Sequence, residues 1–205
     1  SGFVISLNYQ NKIFNFKILI FFQKKRFLRL YPLHLLTLIL MAIFYYKTTN
    51  EFDIYNLLIN LLLLHNLVLE ELTFNGPSWS ISSEFYVYFI FGITVWLLKN
   101  KKEKIIFISI IFICLSFIFL VIQDSFETKF GFIRCMYSFF LGVIIFNITK
   151  FKNFTVPNFV LFFLLFLIIF CLIYFKMVEQ NINFNILMPI LFFLLIISLV
   201  NGQNN

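Results

Sequence analysis

The chain has 205 residues, of which 61% are hydrophobic and 12% charged, and 33 are phenylalanine. A soluble domain is nearer half apolar and a quarter charged, so this chain cannot cover an aqueous surface, and its apolar side chains belong in lipid. The net charge of +7 does not mark a nucleic-acid binder either, because the basic residues fall in three short clusters between apolar runs, as the positive-inside rule distributes them.

Unbroken apolar runs such as 105–122 and 157–175 exclude a membrane barrel, whose strands would alternate over roughly ten residues. The fold class is all-α: a polytopic integral membrane bundle of about six to eight hydrophobic helices. Residues 1–7 read as the tail of a helix. Seven apolar segments follow, at 30–46, 54–69, 79–98, 105–122, 130–148, 157–175 and 186–200. No internal repeat or long linker divides them, so residues 1–205 read as a single transmembrane domain. The chain opens at Ser1 without a methionine or a signal peptide and ends on Asn-Gly-Gln-Asn-Asn. It is expected to be a piece of something longer, incomplete at both ends.

Residues 8–29 carry six lysines and arginines and no acid, and residues 99–104 carry four lysines against Glu103. Both loops are expected on the cytoplasmic side. Two such loops must be separated by an even number of crossings, yet three apolar segments intervene. The weakest is 54–69, only 16 residues long, with Asn56, Asn60, His65 and Asn66 costly in hydrocarbon. It is expected to lie in-plane or re-entrant on the outer side. That choice puts 149–153 inside and 123–129 and 176–183 outside. It also puts Glu70, Glu71 and 75–80 at the outer face, opposite Arg26 and Arg29 at the inner one.

Arg26 and Arg29 stand three apart at the mouth of a span and are expected to point the same way. Paired guanidiniums suit phosphates, which they grip in bidentate fashion; orientation and anionic lipid contact are the alternative. In Pro77-Ser78-Trp79-Ser80-Ile81-Ser82-Ser83-Glu84, a helix start with an interfacial tryptophan explains the first three residues but not Glu84, a carboxylate about one and a half turns inside a span. Ser80, Glu84 and Tyr88 recur at four-residue spacing as one polar stripe, suited to a hydroxylic substrate. Arg134 is the second costly charge; it either pairs with Glu84 as a structural bridge or acts at the site. His34 and His65 read as hydrogen-bonded structural groups, with general-base chemistry the alternative. Cys114, Cys135 and Cys171 lie singly in apolar runs, so buried structural thiols are expected, without a metal site, disulfides or a tightly bound cofactor. Close glycine-mediated contacts are expected at Gly92, Gly131 and Gly142.

Ser1-Gly2-Phe3-Val4-Ile5, then Lys25-Arg26-Phe27-Leu28-Arg29-Leu30-Tyr31-Pro32, then Asn75 to Glu84 with Tyr86 and Tyr88, and finally Arg134 with Phe139-Phe140-Leu141-Gly142 occur in an order that resembles the bacterial acyltransferase family 3. The resemblance runs from residue 1 to about 146. It implies a membrane O-acyltransferase of the bacterial inner membrane, taking an acyl group, commonly acetyl, from acyl-coenzyme A to a hydroxyl of an exported carbohydrate such as a surface polysaccharide. It implies that Arg26 and Arg29 handle the coenzyme A end and that Trp79, Ser80 and Glu84 belong to the family's tryptophan-serine-to-glutamate motif. Glu84 is then the catalytic candidate, and Arg26, Arg29, Trp79, Ser80, Tyr88 and Arg134 are substrate-binding candidates. The family's essential histidine lies in a helix ahead of the Ser-Gly-Phe motif, and neither His34 nor His65 aligns with it. Residues 1–205 alone are therefore expected to be inactive. The alternative is a non-enzymatic multi-span protein, a transporter or lipid-handling scaffold, with Glu84 and Arg134 as a structural or permeation pair. One alanine and the dominance of Phe, Ile, Asn, Lys and Tyr fit an A/T-rich bacterial genome.

Overall fold

The computed structural model describes residues 1–13, 15–51, 53–69, 74–123, 130–149, 157–177 and 182–202; of 123, 158, 175–177, 182–186 and 201–202 it describes the backbone alone. Glu70, Glu71 and the outer and inner loops around 124–129, 150–153 and 178–181 lie outside the described residues. Among the described residues the elements are all helical. They are α1 (Gly2–Ile5), continued by a wide π turn at Ser6–Gln10; α2 (Phe16–Thr49); α3 (Ile54–Leu61); α4 (His65–Val68); a 3₁₀ turn at Gly76–Ser78; α5 (Trp79–Leu97); α6 (Lys102–Gln123); α7 (Gly131–Thr149); α8 (Asn158–Met177); and α9 (Ile182–Gly202). Four of them are long and apolar enough to cross a membrane: Phe16–Thr49, Gly76–Leu97, Lys102–Ile122 and Gly131–Thr149. Phe159–Tyr174 and Leu187–Val200 are shorter apolar helices.

The chain folds into two compact units. One comprises Ser1–Lys12, Asn100–Phe126 and Met136–Asn205, and the other Ile13–Lys99 and Glu127–Cys135. By their order along the chain, not by placement in space, the first is the flanking unit and the second the central unit.

In the central unit, α2 starts well before the expected residue 30. The Asn15 side chain accepts a hydrogen bond from the Ile18 amide at 2.9 Å, which satisfies a first-turn donor, and the 34-residue helix ends on Asn50 in the left-handed conformation. At 1.5 Å per residue its length is about 51 Å, well beyond the roughly 30 Å of a hydrocarbon core. The basic stretch 16–29 is therefore helix and not loop. Lys17, Lys24 and Lys25 are exposed on it, with the Lys25 ammonium 4.5 Å from the Phe21 ring, as long amphipathic side chains allow.

Helices α2 and α5 run antiparallel. Phe16 meets Trp96 at 5.6 Å between ring centroids, Phe22 meets Phe91 at 6.3 Å, Phe27 meets Phe85 at 6.1 Å, and Thr37 bonds Asn75 at 3.2 Å. Gly92 makes this close approach possible, since a Cβ there would fall 2.7 Å from a Leu19 methyl. The expected non-spanning segment 54–69 is broken into α3 and α4. Asp53 caps α3, its carboxylate accepting from the Asn56 amide at 2.9 Å. At the far end the Leu64 amide bonds the Ile59 carbonyl and the Leu63 amide the Asn60 carbonyl, both at 3.0 Å. This termination requires a left-handed residue, which is Leu63 at φ 58° where glycine is usual.

In the flanking unit, a Cβ on Gly2 would overlap the Phe139 carbonyl, and one on Gly142 would lie 2.6 Å from the Phe3 nitrogen, so α1 and α7 touch backbone to backbone. Gln10 and Asn147 exchange two amide hydrogen bonds, at 2.8 and 3.1 Å, while fully buried. Phe112 of α6 packs on Phe140 of α7 with ring centroids 4.7 Å apart, and Ile168 and Cys171 of α8 pack with Met188 and Leu191 of α9. Phe159, Phe162, Phe163, Phe166 and Phe170 of α8 stay exposed, as a lipid-facing surface would be. Of the three thiols expected to be buried, Cys171 is, Cys135 is half-buried and Cys114 is exposed on α6. An apolar run puts residues on the lipid face as readily as on the core face, so an apolar neighbourhood in sequence does not imply burial.

Candidate active site

The central unit holds the two motifs expected to carry chemistry, the arginine pair and the segment that ends at Glu84. Arg26 is 9% exposed, its guanidinium carbon 5.6 Å from the Phe22 ring and 5.6 Å from the Tyr88 ring. The Tyr88 hydroxyl, one helical turn along from Glu84, donates a short hydrogen bond to the Glu84 carboxylate. Arg26, Tyr88 and Glu84 thus form one continuous line from α2 to α5. The sequence argument put the arginines at the inner face and Glu84 at the outer. The antiparallel register instead puts Arg26 beside the middle of α5, because α2 begins at Phe16.

The arginine pair is also not equivalent. Arg26 is buried and Arg29 exposed, although Arg29 remains within electrostatic reach of Tyr88. Three residues advance a helix by about 300°, so two such side chains lean about 60° apart, and here that difference separates the core face from its edge.

Trp79 and Arg134 form a second contact. The guanidinium lies 5.2 Å from the Trp79 ring, a cation–π arrangement worth about 0.5–2 kcal/mol. Gly131 lets the first turn of α7 lie flat on the tryptophan, since a Cβ there would be 2.5 Å from the ring. Cys135, on the same turn of α7 as Arg134, is within electrostatic reach of Glu84. Of the proposed polar stripe, Glu84 and Tyr88 are joined, whereas Ser80 is exposed and its hydroxyl donates to the Pro77 carbonyl at 3.1 Å. Ser80 sits in the first turn of α5, where a hydroxyl closes onto nearby backbone.

The structure adds residues that the stripe omitted. Ser82 and Ser83 are both fully buried. Ser82 donates to the Leu63 carbonyl, and Ser83 accepts from Asn66 at 2.6 Å and donates to the Trp79 carbonyl at 3.0 Å. These bonds dock the α3–α4 hairpin on α5 and give Asn66 its partner. His34 and His65 also come together, rings stacked at 5.5 Å and 11°. His34 Nε2 donates to the Asn60 carbonyl and His65 Nε2 to the Ser78 carbonyl, each at 2.9 Å. The signal was present in the sequence: four polar residues in a 16-residue apolar segment demand four partners. Burial, reinforced by the neighbouring His34, holds His65 below the ordinary histidine range despite its bond to Ser78.

As for known proteins, no curated protein and no solved structure matches the chain. The acyltransferase domain of acyltransferase family 3 does, over residues 1–205, which takes in both units and every residue of the Arg26–Tyr88–Glu84 line. A helical membrane bundle with a carboxylate–phenol–guanidinium line, matched from end to end by that domain, belongs to acyltransferase family 3 and is a membrane acyltransferase.

Proposed function

We propose that this acyltransferase moves an acyl group, acetyl in the simplest case, from acyl-coenzyme A to a hydroxyl of an exported carbohydrate, in the inner membrane of a bacterium. The observation that carries this reading is the joining of Arg26 to Glu84 through Tyr88. The arginine pair and a carboxylate that can orient a hydroxyl are thereby held within one side chain of each other, as donor and acceptor must be when an acyl group passes directly between them. Arg29, exposed at the edge of the same helix face, is the side chain free to meet donor phosphates, and buried Arg26 holds Tyr88 and Glu84. Trp79, locked by Arg134 and Gly131, supplies a flat apolar wall of the kind that sugar rings pack against. A transport scaffold is the weaker reading, because the domain matched is an acyltransferase and the Glu84 carboxylate is engaged by Tyr88.

The test uses the full-length protein in membranes, with coenzyme A release measured against acyl-coenzyme A concentration in the presence of a polysaccharide acceptor. Changing Arg26 and Arg29 together to lysine keeps the charge and loses the planar fork. The expected result is a KM for acyl-coenzyme A raised roughly tenfold or more, the scale of a lost charge-assisted hydrogen bond. Unchanged KM and rate would return the pair to membrane orientation.

A further inference from the structure

A carboxylate has two oxygens, and in Glu84 the fold engages one of them. Among the described residues its hydrogen-bond donor is the Tyr88 hydroxyl, which bonds Oε1. An ionised carboxylate offers about four acceptor positions, so Oε2 is left to accept. Glu84 is only half-buried, whereas Tyr88 is 1% exposed. The Tyr88 ring is held on two sides: the Phe22 ring meets it edge-on with centroids 6.5 Å apart, and the Arg26 guanidinium carbon lies 5.6 Å from its centre. Phe22 is itself fully buried, and the same guanidinium carbon is 5.6 Å from that ring too. The phenol is therefore a fixed post, one turn along α5 from the carboxylate it holds. A glutamate side chain has several rotatable bonds, and an unanchored one spreads its carboxylate over many rotamers. With Oε1 tied to a fixed post, the place of Oε2 is set.

We propose that Tyr88 is a positioning residue that aims Glu84 Oε2 at the reacting hydroxyl of the acceptor, rather than a contact of either substrate. This rests on the acyl-transfer reading. A phenol whose hydrogen is given to Glu84 and whose ring is enclosed has no donor left for a carbohydrate. Oε2 can only accept, so the group it selects must be a donor, and the hydroxyl that receives the acyl group is one. A hydrogen bond from that hydroxyl to Oε2 fixes the direction of the attacking oxygen relative to the thioester carbon, which is where orientation lowers the barrier. Arg26 contributes at one remove, by packing on the Tyr88 ring, so α2 carries the arginine pair and steadies the acceptor side of the site at once. The order of dependence runs from Arg26 and Phe22 to Tyr88, from Tyr88 to Glu84, and from Glu84 to the substrate.

Tyr88→Phe removes the hydroxyl and keeps the ring, with its packing on Phe22 and its contact with Arg26. In the full-length protein it is expected to lower kcat for a carbohydrate acceptor roughly 10- to 100-fold, the scale of a hydrogen bond to a charged group, with the KM for acyl-coenzyme A within about threefold. In a Glu84→Gln background the same change is expected to cost less than about twofold, because the carboxylate it orients is gone. Without substrates, the infrared carboxylate band that Glu84→Gln removes is expected to shift in Tyr88→Phe. An unchanged kcat in Tyr88→Phe would overturn the assignment. So would a raised KM at unchanged kcat, which would make Tyr88 a substrate contact, and an equal loss in both backgrounds, which would separate it from Glu84. Reduced membrane abundance at an unchanged rate per molecule would mark Tyr88 as structural and overturn it likewise. Wild-type protein that releases no coenzyme A with any carbohydrate acceptor, while the band still shifts, would fail the acyl-transfer reading and with it the role of Tyr88, though not its contact with Glu84.

Discussion

The two units bury different things. The central unit buries Arg26, His34, Asn60, His65, Asn66, Ser78, Ser82 and Ser83 around α5, and every candidate catalytic or substrate-binding residue of the chain lies in it. The described core of the flanking unit is mainly apolar, and the polar groups it buries are four serines, Ser6, Ser109, Ser116 and Ser198, and the Gln10–Asn147 amide pair, with no charged or imidazole side chain among them. Polar groups in an apolar interior persist only where they are paired or functional, because each unmet acceptor costs about 1–3 kcal/mol. The contrast therefore divides the labour. The Ser-Gly-Phe motif, conspicuous in the sequence, proves to be packing: Gly2 and Gly142 let two helices touch. The candidate site residues sit in the other unit.

If that division holds, substitutions in the two units fail differently. The largest effect is expected from Glu84→Gln in the full-length protein: transfer falls by two or more decades, the scale of an acid–base or orienting partner, while the amount of protein in the membrane is unchanged. A comparable loss of protein would instead make Glu84 a folding group and dissolve the contrast.

Gly142→Val should do the reverse. A side chain at 2.6 Å from the Phe3 backbone has no flexible neighbour to displace, so α1 and α7 must separate. Membrane abundance is expected to fall several-fold, and the surviving protein to keep its transfer rate per molecule. Full abundance with lost turnover would assign chemistry to the flanking unit.

The smallest effect is a pH dependence confined to the hairpin. His65 lies below its ordinary value of 6.5 in the docked hairpin and returns to it when the hairpin is free, so the free state binds the proton more tightly. Its contribution to docking is present in full above about 6.5 and is lost as pH falls toward the depressed native value. Amide exchange of residues 57–68, corrected for intrinsic rates, should accelerate on lowering the pH from 7.5 to 5 in wild type and remain flat in His65→Gln. An equal acceleration in both would place the titrating group elsewhere.

Much of the architecture is legible without coordinates. Hydrophobicity alone located α5 to α9 to within a few residues, because a lipid-facing helix must be apolar along its whole length and the change at its ends is abrupt. The parity of charged loops singled out 54–69 as non-spanning, and it is the one apolar segment that the structure breaks in two. The start of α2 was not legible. Charge counting treats a lysine-rich stretch as a loop, whereas a long helix can carry lysines outward on its exposed side while Phe22 and Arg26 of the same stretch face α5.

The candidate site divides along the same line. Residue type and local spacing determined which groups are expensive in a membrane: Glu84, Arg134, the arginine pair and the polar residues of the hairpin. Helical periodicity also put Tyr88 a turn from Glu84, since that contact lies within one element. Tertiary structure decided every pairing between elements: Arg26 with Tyr88, Trp79 with Arg134, Asn66 with Ser83, and His34 with His65 across 31 positions of chain. Cost is a property of one side chain and its surroundings and can be read along a sequence. A partner is a property of two, and the antiparallel register of α2 on α5, set by Gly92 and the matched aromatic residues, brings those partners level.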